Sequence, residues 1–111
     1  MKFLCLAYGA EKDWKETPGE LQQELLAQDE KLRKRGTFMS AVQTGVTTVT
    51  AWDGATKTTN GTFAKANIPL AGFSILEAKD LAEAVELVAK TPCARAKGAI
   101  EIRAFWESAP Q

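Results

Sequence analysis

The stretch from Phe3 to Tyr8 is apolar at every position, so both of its alternating sets of side chains need burial. This pattern is typical of a strand covered on both faces, because a half-solvated strand alternates apolar and polar residues. We therefore expect the segment to be the central strand of a sheet. A chain of this length buries roughly two-thirds of its unfolded surface, which predicts a single domain over residues 1–111.

A long helix is predicted from about Pro18 to Arg35. Thr17 to Glu20 reads as a capping box with proline at the first helical position, and Gly36 supplies the stop. Basic residues near its end complement the helix dipole. The leucines expected to face the sheet are Leu21, Leu25, Leu26 and Leu32.

A second, shorter helix is predicted after Asp80, which caps it, and before Pro92, which ends it. Apolar residues recur at positions i, i+3, i+4 and i+7. The residues of this stripe are Leu81, Ala84, Val85 and Val88.

Strands account for most of the remaining chain. Residues 37–52 are rich in β-forming residues and predict two strands, the second returning through a hairpin at Asp53-Gly54. Residues 69–77 predict a further strand, and Ala99 to Trp106 the last one. The order β, α, β, β, α, β predicts an α+β fold of the ferredoxin-like split βαβ type with an extra hairpin, its antiparallel sheet covered by two helices on one face.

The other face of that sheet needs a cover, because strands that are apolar on both sides leave it hydrophobic. We predict a homodimer in which two sheets pack face to face and bury Phe3, Cys5, Phe73 and Phe105. The partner is thus a second copy of the chain, with a cavity between the sheets or near the helix ends.

Composition excludes several classes of function. Fourteen lysines and arginines balance 14 aspartates and glutamates, so no long-range field favours nucleic acid or an acidic membrane surface. No apolar stretch reaches the ~20 residues of a membrane helix. Two cysteines without a disulfide framework fit a reduced, cytoplasmic location.

Histidine is absent from the sequence. A histidine general base, a Ser-His or Cys-His pair and imidazole ligation of zinc or haem iron are therefore excluded. We predict that neither a metal nor another cofactor is bound.

Taken together, the segments of this chain resemble the YCII-related family, specifically its DGPF-type branch. The resemblance covers nearly the whole chain, and no piece of it is specific alone. It is carried by residues 1–9, Trp14, residues 32–36, Asp53-Gly54, residues 60–64, Gly72-Phe73, residues 80–84, residues 92–95, residues 100–103 and Trp106. It implies a bacterial, dimeric α/β-barrel of ferredoxin-like subunits, with a pocket whose ligand is mostly uncharacterised.

The chain departs from the pattern of this family where function is concerned. The namesake aspartate, glycine, proline and phenylalanine, followed shortly by a glutamate, are replaced by Asn60-Gly61-Thr62-Phe63 and Lys65. An amide cannot act as a general base, so any activity requiring that aspartate is in doubt. The His-Asp pair proposed as catalytic in some relatives cannot form without histidine.

Glu101 and Arg103 lie two residues apart on one strand, hence on one face, where they can pair or grip a small polar ligand. We favour a salt bridge in the dimer interface. Asp29, close to the leucine stripe, is either a solvated flank, which we favour, or a polar group entering a pocket. Cys93 reads as a structural thiol.

Four more residues are candidates for a ligand site. Tyr8 and Trp14 each combine an apolar body with one polar group and suit a pocket mouth, although ordinary core positions are favoured. Asn60 precedes Gly61, and the favoured role of this pair is to form a turn. Only the family resemblance adds Asn60 and Phe63 to the site.

Two classes of function follow. The favoured class is a homodimeric small-molecule-binding domain that lacks the carboxylate of the family motif. The alternative is a cofactor-free enzyme for proton transfer, elimination or isomerisation, with Glu101 or Asp29 as the base. A neutral, partly apolar ligand is expected in both.

Overall fold

The computed structural model describes residues 1–106, in which helices cover one face of a four-stranded sheet. The elements in chain order are β1 (Lys2–Tyr8), α1 (Glu11–Lys15), α2 (Gly19–Lys34), β2 (Phe38–Ala41), β3 (Thr47–Thr50), β4 (Lys57–Asn60), β5 (Leu70–Glu77), α3 (Leu81–Val88), α4 (Pro92–Arg95) and β6 (Ala99–Ala104). Within this part of the chain, no helix is both long and apolar enough to cross a membrane.

The main sheet has the strand order β2-β5-β1-β6, and every neighbouring pair is antiparallel. Strand β5 lies between β1 and β2, and β1 lies between β5 and β6, which is the split βαβ arrangement of ferredoxin-like folds. The predicted α+β fold and the central position of β1 are therefore confirmed.

Strands β3 and β4 form a second, two-stranded sheet, which confirms the predicted hairpin. Its connection spans residues 51–56 and is longer than the two-residue turn expected at Asp53-Gly54. Within this connection the chain makes a turn at residues 51–55. The Gly54 N–H donates to the Ala51 carbonyl oxygen at 3.0 Å, and the Asp53 carboxylate accepts from the Ala55 N–H at 3.0 Å.

The core lies between the main sheet and the helices. Phe3, Leu32 and Leu76 are almost completely buried there, and Cys5 belongs to the same cluster. The predicted placement of Phe3 and Cys5 on the dimer face is therefore wrong. Because β1 is apolar on both sides, its sequence does not show which side faces the helices. The sheet register shows it, since Phe3 pairs with Leu76, another residue of the core.

Helix α2 differs from its prediction at the start and in one leucine. Pro18 occupies the N-cap, and proline has no side-chain group to cap the helix. The Thr17 hydroxyl, expected to do so, donates instead to the carbonyl oxygen of Asp13 in α1. Leu25 is buried, but Leu26 is half exposed, since the helix turns it ~100° away from the sheet. Gly36, with a φ of 94°, ends the helix as predicted.

Helix α3 begins with the predicted aspartate cap. The Asp80 carboxylate accepts from the Glu83 N–H at 2.9 Å, and the Glu83 carboxylate accepts in return from the Lys79 N–H at 3.0 Å. This reciprocal pair is a capping box. Ala84 and Val88 are buried below it, whereas the other two residues of the predicted stripe are about half exposed: Leu81 and Val85.

Proline 92 follows α3 after a short turn and occupies the first position of α4 instead of directly ending the longer helix. The last predicted strand is confirmed as β6, whose Ile100 and Ile102 pack against the core.

We call the sheet face opposite the helices the open face. Phe73 and Phe38 lie on it with their ring centroids 5.8 Å apart. Leu4 and Leu6 of β1 point to the same side, opposite Ile75 and Phe73 in the register of β5. The open face is thus apolar at its centre.

Candidate functional site

A cleft of about 680 Å³ lies at one end of the open face. Its floor is formed by Tyr8, Glu101 and Arg103 from two neighbouring strands. Its walls come from the start of the hairpin and from the loop that follows it, namely Val46, Thr48, residues 62–69 and Leu70. The lining is mainly apolar with a few polar groups, as in most small-molecule sites.

The polar centre of the cleft is a hydrogen bond between two residues far apart in sequence. The Tyr8 hydroxyl donates to the Glu101 carboxylate at 2.8 Å. The carboxylate stabilises the neutral phenol and raises the pKa of Tyr8, with burial a smaller cause and Arg103 acting weakly in the opposite direction.

Strand register brings these two side chains together. Glu101 lies opposite Leu6 and Arg103 lies opposite Leu4, so the charged pair shares the open face with apolar residues of β1. A bulge between Ala7 and Tyr8 in the pairing with β5 shifts the end of β1. The pairing of β1 with β6 is regular up to Tyr8, which lies opposite Ala99 and is therefore a diagonal neighbour of Glu101 on the same face.

The wall of the cleft is fixed by backbone and hydroxyl contacts at the base of the hairpin. The Thr48 hydroxyl donates to the Gly61 carbonyl oxygen at 2.7 Å, and the Gly61 N–H donates to the Val46 carbonyl oxygen at 2.9 Å. Gly61 has a φ of 126°, a conformation that favours glycine. The following loop, which carries Phe63, is thereby directed over the floor.

Four of the six predicted ligand-binding residues line this cleft: Tyr8, Phe63, Glu101 and Arg103. The other two do not. Trp14 is a half-buried residue of α1 whose carbonyl oxygen accepts from the Gln22 side chain at 2.7 Å. Asn60 is an exposed residue of β4 paired with Thr47.

Sequence reasoning missed the contribution of the hairpin itself. Val46 and Thr48 line the cleft, although they were read only as parts of a strand. The residues of β3, Thr47-Thr48-Val49-Thr50, carry no alternation that marks this side, and the greater burial of Thr48 and Thr50 is seen only in the structure.

A second cavity, of about 210 Å³, lies on the helix side of the sheet. Its polar groups include Asp29 of α2 and Cys93 of α4. Most of the rest is apolar, with Cys5, Met39 and Val88 among the lining residues. Of the two interpretations of Asp29, the structure supports the polar group entering a pocket, and not the solvated flank that the sequence favoured.

Burial governs the titration of the groups in this cavity. It raises the pKa of the Asp29 carboxyl, an effect that Arg33 partly opposes. It also raises the pKa of the Cys93 thiol, and the Asp29 carboxylate raises it further. A thiol with a raised pKa is a weak nucleophile at neutral pH, whereas a carboxyl with a raised pKa is a better base.

The hydrogen bond in the cleft leads to a direct prediction. Tyr8 is the single tyrosine of the chain, so the phenolate absorbance measured against pH reports this residue alone. We expect a midpoint above the ordinary pKa of about 10, and a lower midpoint in Glu101→Gln, which removes the negative charge. Glu86→Gln, an exposed position on α3, is the matched control. Equal midpoints for Glu101→Gln and the unmodified protein would contradict the contact.

These features define a small ferredoxin-like α+β domain with a mixed polar and apolar cleft on its open sheet face. The family model of the YCII-related domain matches residues 1–109, and the chain belongs to that family. The resemblance inferred from the sequence is confirmed.

Among solved structures, the chain is similar to 5-chloro-2-hydroxyhydroquinone dehydrochlorinase from Burkholderia phenoliruptrix, determined as a complex with 2,5-dihydroxybenzoquinone. The two share 23% sequence identity over 95% of this chain and 93% of the other, with a TM-score of 0.43. A comparison with curated proteins finds no match.

Proposed function

We propose that the protein is a homodimeric small-molecule-binding domain that holds its ligand in the cleft on the open face. The observation that carries this proposal is the hydrogen bond from Tyr8 to Glu101 at 2.8 Å within a cleft of about 680 Å³. A cytoplasmic location is part of the proposal, and the two free thiols, Cys5 and Cys93, support it.

The ligand is a neutral, partly apolar molecule with at least one hydroxyl or amide group. Glu101 and Arg103 carry opposite charges on one strand and leave the floor without net charge, and the wall adds one cation, Lys65. The carboxylate accepts a hydrogen bond from the ligand, the guanidinium donates one, and Phe63 and Leu70 supply apolar contact.

Enzymatic proton transfer is the second candidate, and the cavity on the helix side favours it. Asp29 is half buried in an apolar environment that raises its pKa, as expected for a general base. In such a reaction the Asp29 carboxylate would take a proton from a carbon or hydroxyl of a small bound molecule, without a cofactor.

A metabolite screen by thermal shift tests the binding function. A ligand at roughly 100 times its Kd stabilises the folded state by about 2.7 kcal/mol, which raises Tm by several degrees in a domain of this size. We expect a ligand of the cleft to bind Glu101→Gln at least tenfold more weakly, because that variant loses the charged acceptor. Binding to Glu86→Gln should be unchanged.

A variant of each site, Asp29→Asn and Glu101→Gln, separates the two candidates. If a hit is converted to product, loss of turnover in Asp29→Asn with binding retained would assign the reaction to the inner cavity. Loss of turnover in Glu101→Gln would assign it to the cleft. A broad screen without any hit would contradict the binding function.

A further inference from the structure

The charges that line the cleft on the open face do not balance. Among the described residues of its lining there are two cations, Arg103 and Lys65, and one anion, Glu101. The chain as a whole has equal numbers of basic and acidic residues, so the positive excess is a local property of the cleft. A neutral ligand leaves this excess uncompensated.

Glu101 does not pair with Arg103, although the two residues share one face of β6. Two positions along a strand separate their Cα atoms by about 7 Å. The Glu101 carboxylate instead accepts the hydrogen bond from the Tyr8 hydroxyl at 2.8 Å. The salt bridges within residues 1–106 lie on or beside the helices, and none includes Arg103. The guanidinium therefore keeps its N–H donors for another acceptor.

Lys65 is the second cation without a salt bridge in this part of the chain. It lines the cleft from the loop that follows the hairpin, whereas Arg103 lines it from the floor. Two cations from different elements that face one cavity repel each other. An anion bound beside them would relieve this repulsion.

The lining of the cleft indicates which kind of anion fits. One negative charge balances the cleft, whereas a dianion such as phosphate would add a second charge that Glu101 repels. The planar guanidinium of Arg103 matches a carboxylate, which it can bind through two parallel hydrogen bonds. Phe63 and Leu70 supply an apolar surface for the carbon body of such a ligand.

We propose that the cleft binds a carboxylate with an apolar body, held by Arg103 and Lys65, as a second ligand beside the neutral molecule. The proposal rests on the proposed function in placing the ligand site in this cleft, and it does not require that the neutral molecule bind first. A cleft of about 680 Å³ is in the size range of sites for drug-sized ligands. It therefore has room for two small molecules.

Benzoate and benzamide test the requirement for a negative charge, because they have nearly the same shape. In calorimetric titrations at neutral pH, we expect benzoate to bind at least tenfold more tightly than benzamide. Its affinity should fall as the salt concentration rises, since salt screens exposed charges. Equal affinities for benzoate and benzamide, or tighter binding of inorganic phosphate than of benzoate, would overturn the proposal.

Substitutions of the two cations test the location of the site. We expect Arg103→Gln to weaken benzoate binding at least tenfold and Lys65→Gln to weaken it several-fold. Arg95→Gln, which removes the same charge from an exposed position of α4, is the control and should leave it unchanged. Circular dichroism verifies that the variants are folded. Unchanged binding of benzoate to Arg103→Gln would show that the carboxylate lies elsewhere.

Tyr8, the single tyrosine, gives an independent report on the location. Arg103 lowers the pKa of Tyr8, so a carboxylate bound to Arg103 should offset this effect and raise the midpoint of the phenolate titration. The rise should be absent in Arg103→Gln and present in Arg95→Gln. Benzoate that binds without moving the midpoint would contradict a site at Arg103.

Glu101→Gln separates this proposal from the proposed function, because the two expected effects have opposite signs. The neutral ligand should bind this variant more weakly, since its acceptor is lost. Benzoate should bind it several-fold more tightly, since the variant removes the single carboxylate among the described lining residues. Weaker binding of benzoate would overturn the second site and leave the neutral ligand unaffected. Tighter binding of benzoate, with no neutral ligand found, would support the second site and contradict the proposed function.

Discussion

Replacing Gly98 with alanine is expected to destabilise the protein by roughly 3 kcal/mol or more, a large effect for one added methyl group. A Cβ atom at this position would overlap the carbonyl oxygen of Tyr8 and lie 2.6 Å from the carbonyl oxygen of Cys93. Both are backbone atoms, so no side chain can rotate away. The only relief is to separate β6 from β1 where Tyr8 pairs with Ala99.

Urea denaturation of Gly98→Ala measures this cost, and Gly45→Ala is the control. A Cβ at Gly45 meets nothing within 4 Å, so that variant should unfold within about 0.5 kcal/mol of the unmodified protein. The Tyr8 titration should also change in Gly98→Ala alone, because the clash lies at the residue that donates to Glu101. Similar stabilities for the two variants would show that β1 and β6 are not this close.

The second large effect is expected within one turn of α2. Leu25→Ala should cost about 2–5 kcal/mol, as a buried leucine truncation does, because Leu25 is 2% exposed. Leu26→Ala should cost less than about 1 kcal/mol, because Leu26 is 52% exposed. The residues are adjacent in one helix, so the change in helix propensity is the same in both and cancels in the comparison.

The denaturation midpoints of these two variants show whether the cost of truncation follows the burial seen in the structure or the leucine spacing of the sequence. The leucine spacing in α2 predicted that both side chains face the sheet. If Leu26→Ala proves as costly as Leu25→Ala, Leu26 must be buried in solution, and the surface of α2 must contact something outside this chain.

Local patterns were sufficient for most of the fold. The two-sided apolar run of β1, the aspartate cap of α3 and the glycine stop of α2 each depend on residues within a few positions of one another. The remaining features depend on contacts with other elements of the fold. Thr17 bonds to α1 instead of capping α2, because a short helix that no pattern predicted ends beside it.

The cleft also combines features that local sequence predicts with features that depend on packing between distant segments. Glu101 and Arg103 were predictable as a pair on one face, because strand alternation places them there. Their neighbour Tyr8 is 93 residues away from Glu101 in sequence, and the contact depends on the register between β1 and β6. Asn60 was carried into the predicted site by family resemblance alone, and its exposed position in β4 shows why a motif match without register is weak evidence for a site.

The central position of β1 also has a consequence for the order of folding. Its neighbours, β5 and β6, begin at Leu70 and Ala99, so β1 finds both of its partners in segments that lie more than 60 residues further along the chain. Before β5 pairs with it, β1 has two unpaired edges and two apolar faces, and one edge stays unpaired until β6 is in place. Unpaired apolar strands of this kind are prone to aggregation. Pairings that distant in sequence also slow folding, because long loops must close before the contacts that stabilise them can form. Aggregation of incompletely folded chains should therefore compete with the folding of this protein.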